Sequence, residues 1–138
     1  MRGKLLAVLK WPIFRRIVVV YQDRADVADA VKETLEAEGW KVETCGDGAA
    51  ALENLESGAR FDVLIFGNKL PDTTGVDLIR RARALAHRQL TPIIMLSGDE
   101  VEREARRAGA NAYLRKPGDV RSLSETVARL LARKSRRH

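Results

Sequence analysis

Apolar and polar positions follow two rhythms along this chain. Residues 17–21 are apolar in succession (Ile-Val-Val-Val-Tyr), as a strand covered on both faces must be. Residues 24–38 then bring Val27, Ala30, Val31 and Leu35 to helical spacing, and Gly39 ends the stretch. The same run and stripe recur. A weaker strand at 41–45 precedes a helix at 49–56. A strand at 63–66 is followed by a loop through Leu70 and Pro71 to Gly75 and a helix at 76–85. A strand at 92–96 precedes a helix at 101–108, and a strand at 112–114 precedes a last helix from about residue 120. In that last helix Val120, Leu123, Val127, Leu130 and Leu131 form the buried stripe, and Asp119 or the pair Ser122 and Glu125 caps its first turn. Five strands alternating with five helices predict an α/β fold, a doubly wound five-stranded parallel sheet. Ligands in such sheets gather at the carboxyl ends of the strands.

Composition narrows the function. The chain has 138 residues, 45% hydrophobic and 32% charged, enough to build one core. Its apolar runs fall far short of the ~20 residues that span a bilayer, so no transmembrane segment is expected. Cys45, the single cysteine, cannot form an internal disulfide, and with His87 and His138 it cannot close a zinc site. A reducing, cytoplasmic compartment fits. Cys45 reads as a half-buried strand-end residue and His87 as a solvent-facing residue of a polar connection. No GxGxxG, P-loop lysine, Ser-His-Asp or Cys-His grouping is apparent.

The net charge of +6 belongs to the two ends. Residues 1–16 carry five basic and no acidic side chains, and residues 129–138 carry five more basic ones, which leaves 15 basic against 19 acidic residues in between. Residues 1–15 read as a basic and apolar extension, with Leu5, Leu6 and Leu9 on one side of a short helical turn stopped at Trp11-Pro12. Lys10 interrupts the apolar stretch and no cleavage site follows, so export is not expected. Residues 16–131 form the folded domain and residues 132–138 a basic tail. Such ends read either as ordinary solvated termini or as segments that attract acidic partners, nucleic acid or a membrane surface, and aromatics do not alternate with the basic residues as base stacking requires.

Six segments carry a family resemblance: Val18-Val19-Val20-Tyr21-Gln22-Asp23, Ala37-Glu38-Gly39-Trp40-Lys41-Val42, Asp47-Gly48-Ala49-Ala50-Ala51-Leu52, Leu70-Pro71-Asp72-Thr73-Thr74-Gly75, Pro92-Ile93-Ile94-Met95-Leu96-Ser97, and Gly109-Ala110-Asn111-Ala112-Tyr113-Leu114-Arg115-Lys116-Pro117. In this order and spacing the chain resembles a response-regulator receiver domain of two-component signalling, with its flavodoxin-like fold. The resemblance implies a pair of acids after the first strand, a phosphate-accepting aspartate after the third, a hydroxyl after the fourth and a lysine after the fifth. Carboxylates hold Mg²⁺, the aspartate attacks a phosphoryl donor, and the hydroxyl and lysine bind the phosphoryl oxygens. Asp23 matches the second acid, Ser97 the hydroxyl and Lys116 the lysine. Gln22 replaces the first acid, and the accepting aspartate, four positions before Pro71, is replaced by Gly67.

The expected site is therefore a degenerate phosphorylation pocket of Gln22, Asp23, Gly67, Lys69, Ser97 and Lys116, beside the switch-like aromatic Tyr113. No catalytic group is expected, because Gly67 removes the nucleophile, and no metal ion or cofactor is expected, because Asp23, Lys69 and Lys116 together already carry positive charge. Either Lys69 or Lys116 pairs with Asp23 in place of the lost cation, or Lys69 points to solvent. Ser97 and Tyr113 form either a fixed hydrogen-bonded pair or ordinary strand ends. Only twelve positions separate Ser97 from Gly109, about one helical turn fewer than the resemblance implies. The expected function is an atypical receiver domain, not an enzyme. It would act as a phosphorylation-independent interaction module that docks a protein partner or a second copy through its fourth and fifth helices and fifth strand. The alternatives are a receiver that accepts phosphate on an unconventional residue, and nucleic-acid or membrane-surface binding through the basic ends. No DNA-binding domain follows residue 131 in this sequence, so the usual two-domain transcription factor is not expected.

Overall fold

The computed structural model describes residues 16–20, 25–115 and 122–136. The extension 1–15, together with Tyr21, Gln22, Asp23, Lys116, Asp119 and Val120, lies outside the described residues. The strands are β1 (Arg16–Val20), β2 (Lys41–Cys45), β3 (Val63–Phe66), β4 (Ile93–Ser97) and β5 (Ala112–Arg115). The helices are α1 (Ala25–Glu36), α2 (Gly48–Glu56), α3 (Gly75–Ala84), α4 (Glu102–Ala108) and α5 (Leu123–Arg136), with a 3₁₀ turn at Ala86–Arg88. All strand pairs are parallel, in the order β2-β1-β3-β4-β5. The order reverses beside β1 and β3, where sheets of this type open a crevice.

Alternate residues of the central strands feed two cores, which explains why β3 and β4 read as unbroken apolar runs. Val63, Ile65, Ile94 and Leu96 face Val31 and Leu35 of α1 and Leu123, Val127 and Leu130 of α5. Leu64, Phe66, Ile93 and Met95 face Leu55 of α2, Ile79 of α3 and Ala105 of α4. Cys45 belongs to this second core and is buried rather than half-buried, because Asn54 Nδ2 covers its Sγ at 3.1 Å. Burial pushes the thiol pKa up, more than the Asn54 hydrogen bond lowers it.

Helix ends follow the capping residues. Asp47 Oδ1 accepts the Ala50 N–H at 2.8 Å, and Thr74 Oγ1 accepts the Asp77 N–H at 3.1 Å. Helix α4 has no such cap: Val101 precedes it without a side-chain hydrogen bond. Gly109, at φ 125°, closes its other end in a conformation that glycine favours.

Two arginines complete these layers from inside. Arg88, 2% exposed, donates from Nε to Leu55 O and from Nη2 to Asn54 O and Ser57 O, and its guanidinium lies 4.9 Å from the Phe61 ring centroid. A cation thus meets the last carbonyls of α2, where the helix dipole is negative. His87 is exposed as expected, yet its Nε2 lies 3.0 Å from both Leu55 O and Ser57 O. Both partners are acceptors, so Nε2 carries the proton. Burial pulls the pKa of both Arg83 and Arg88 below the ordinary arginine value.

Candidate functional site

The carboxyl ends of β3, β4 and β5 assemble the described part of the site. Phe66 pairs with Met95, and Met95 with Tyr113, so Gly67 and Ser97, at the ends of β3 and β4, come close to Tyr113 within β5. Gly67 is buried. A Cβ placed on Gly75 would lie 2.0 Å from the Gly67 carbonyl oxygen and 2.8 Å from Met95 Cε. Only a glycine at 75 lets α3 start this close to the end of β3, and the Gly75 N–H donates to Asn68 O at 2.8 Å.

Asp99, which the sequence reading did not single out, joins three of these elements. Its carboxylate accepts from Asn68 Nδ2 at 3.2 Å and lies 3.6 Å from Lys69 Nζ. Its backbone N–H donates to Ser97 Oγ at 2.9 Å, and its carbonyl accepts from the Tyr113 hydroxyl. Ser97 and Tyr113 are both buried and are joined through the Asp99 backbone rather than to each other. The Tyr113 oxygen also accepts the Val101 N–H at 3.4 Å. Lys69 is exposed, its side chain 69% accessible, but it has Asp99 as a partner. The expected partner Asp23 and the second lysine, Lys116, lie outside the described residues, as does Gln22. The only signal for Asp99 in the sequence was its place in the Ser97-Gly98-Asp99 turn, which reads as ordinary polar loop.

The Leu70-Pro71-Asp72 segment crosses to the next helix. Asp72 Oδ1 and Oδ2 accept the Gly48 and Ala49 N–H groups at 2.7 and 3.0 Å, so this carboxylate caps α2 from a loop 24 residues away. The Gly48 hydrogen bond foremost, with that of Ala49, holds the Asp72 carboxyl below its ordinary pKa.

The resemblance implies a magnesium ion, which takes oxygen ligands. The described residues do not fit one. Gly67 offers no side-chain oxygen at the end of β3, and Asp99, the carboxylate at the β4 end, is already engaged by an ammonium and an amide. Among the described residues no group of three or more His, Cys, Asp or Glu is placed to hold a metal, and no helix is long and apolar enough to cross a membrane.

The response regulator receiver domain family matches residues 18–128. The chain belongs to that family. This receiver domain is 36% identical over 121 residues to the transcriptional regulatory protein CpxR of Escherichia coli, covering 86% of this chain and 50% of that protein. It thus spans about half the length of that relative. It is 31% identical to the chemotaxis protein CheY of Pseudomonas aeruginosa, covering 84% of this chain and 96% of that one. Among solved structures, a CheY-like receiver domain protein of Methanospirillum hungatei superposes with a TM-score of 0.82 at 30% identity, covering 91% of this chain and all of that one. The chemotaxis response regulator CheY4 of Vibrio cholerae gives 0.75 at 32% identity, covering 84% and 98%.

Proposed function

We propose that this receiver domain is an atypical one, lacking the accepting aspartate, that works as a phosphorylation-independent protein-interaction module. The observation that carries the reading is Gly67, buried at the end of β3 and four residues before Pro71, where the resemblance expects the accepting aspartate. A glycine has no side-chain oxygen to attack a phosphoryl donor. The neighbouring groups support the same reading, since the Asn68 amide, the Ser97 hydroxyl and the Tyr113 hydroxyl are all bonded to Asp99. The domain would act by binding and not by catalysis. A protein partner or a second copy would dock on α4, β5 and α5, where Glu102, Arg103, Glu104, Arg106 and Arg107 of α4 are exposed.

The test is an amide NMR spectrum of the full chain, recorded before and after a small phosphodonor and Mg²⁺ are added. The resonances of α4, β5 and α5 are expected to stay in place. A coherent displacement of those resonances would overturn the reading.

A further inference from the structure

We infer that the Lys69–Asp99 pair is a latch that holds the 98–101 turn, and with it the first turn of α4, against the end of β3. The inference deepens the proposed function, on whose reading α4 belongs to the docking face. Helix α4 has seven residues, of which Ala105 alone is buried, and no side chain caps its start. A helix that short is unstable by itself, since isolated helices need roughly 12–15 residues to persist. Tertiary contacts must hold it, and its apolar contribution is small.

At the C-terminal end the hold is Arg83, which grips Gly109 O from Nε and Nη2 at 3.1 and 2.8 Å. At the N-terminal end almost every bond passes through Asp99. Its N–H reaches Ser97, its carbonyl takes the Tyr113 hydroxyl, and its carboxylate takes Asn68 and Lys69 from the loop after β3. Tyr113 in turn accepts the Val101 N–H, and the Val101 carbonyl accepts the first helical bond from Ala105 at 2.9 Å. The ammonium therefore acts on α4 along a continuous chain of bonds: Lys69, Asp99, Tyr113, Val101, Ala105. A second ion pair, Arg115 Nη2 to Glu100 Oε1 at 3.7 Å, fastens the same turn to the end of β5. Whatever competes for Lys69 or Asp99, such as concentrated salt or a charged partner group, loosens the start of α4 without touching the two cores.

The test is amide hydrogen exchange on the full chain, comparing wild type with Asp99→Asn, Lys69→Met and the double variant. Protection factors correct for the changed side chains. Asp99→Asn keeps the shape of the side chain and Lys69 is exposed, so both variants are expected to fold. Protection at position 99, Val101 and Ala105 should fall about five- to tenfold in Asp99→Asn and less in Lys69→Met, with strand amides of β3 and β4 unchanged. The double variant should fall no further than Asp99→Asn alone, and concentrated salt should loosen wild type more than that variant, in which only the Arg115–Glu100 pair is left to screen. Equal protection in wild type and Asp99→Asn overturns the latch, as does an equal loss across β3 and β4. The measurement uses no phosphodonor, so its failure leaves the phosphorylation reading intact, and phosphorylation of the chain would leave the latch standing.

Discussion

Replacing Arg83 by methionine should remove the anchor at the far end of α4. The guanidinium is half-buried and bonds to oxygens on three segments: Arg88 O at 2.7 Å, Gln89 O at 3.2 Å and Thr91 O at 2.8 Å before β4, Gly109 O after α4, and Asn111 Oδ1 at 2.9 Å before β5. Asn111 Oδ1 also accepts the Ile93 N–H at 2.8 Å, so the same network sets where β4 begins. Methionine keeps the apolar stem that packs on Gly109 and loses every one of these donors. Gln89 and Asn111 are exposed, and water can replace the donor there. Arg88 and Thr91 are buried and Gly109 half-buried, and their carbonyls lose bonds that water restores poorly. Three carbonyls that each lose a hydrogen bond from a charged donor, at roughly 1.5 kcal/mol each, give a loss of about 4.5 kcal/mol. That is a large fraction of the 5–15 kcal/mol typical of a domain, so the urea midpoint followed by far-ultraviolet circular dichroism should fall with an unchanged slope. Arg83→Lys should recover less than half of the loss, because an ammonium cannot span the fork from Thr91 to Gly109. A loss below about 1 kcal/mol in Arg83→Met would refute the reasoning and class Arg83 with ordinary surface positions.

Three further outcomes follow from single positions. Gly75→Ala drives a methyl group into the Gly67 carbonyl and should cost about 1–3 kcal/mol in the same urea titration, whereas Gly46→Ala, with nothing within 4 Å of its added carbon, should change stability by less than about 0.5 kcal/mol. Asp72 binds its proton more weakly folded than unfolded, so its cap on α2 is fully present above the ordinary carboxyl value of about 3.9 and is lost as pH falls through the lower folded value. The stability curves of wild type and Asp72→Asn should therefore converge below about pH 4, and parallel curves down to that range would contradict the assignment. Cys45, buried and with its pKa raised, should alkylate with iodoacetamide only as fast as the chain unfolds; rapid labelling of the native protein would contradict its placement.

The central layers were legible because their side chains leave little choice. The strands at 41–45 and 63–66 stand as expected, and β4 begins one residue later than expected, at Ile93, where Pro92 contributes its carbonyl to the Leu64 N–H instead of a donor to the ladder. Helix α4 spans 102–108 rather than 101–108, because Val101 flanks it in a non-helical conformation. The buried Arg88 and half-buried Arg83 were not legible, since charge in a polar stretch reads as surface. The one available signal was spacing: Arg83 continues the stripe of Val76 and Ile79 on α3. Asp99 escaped for a different reason. Its role depends on Asn68, Lys69 and Tyr113, which are brought to it only by the sheet order and not by any local pattern. In the pocket, the glycine at position 67 was plain in the sequence. What it could not supply was the bonding of Ser97 and Tyr113 to a shared backbone segment.

The account rests most heavily on the absence of a phosphoryl acceptor at the end of β3, and intact-mass spectrometry addresses that directly. The full chain would be incubated with a small phosphodonor and Mg²⁺ beside a receiver domain that carries an aspartate at the matching position. The account predicts an unmodified mass for this chain while the companion acquires a phosphoryl adduct. A stoichiometric adduct on this chain would contradict it, and peptide mapping would then name the residue that took the place of the missing aspartate.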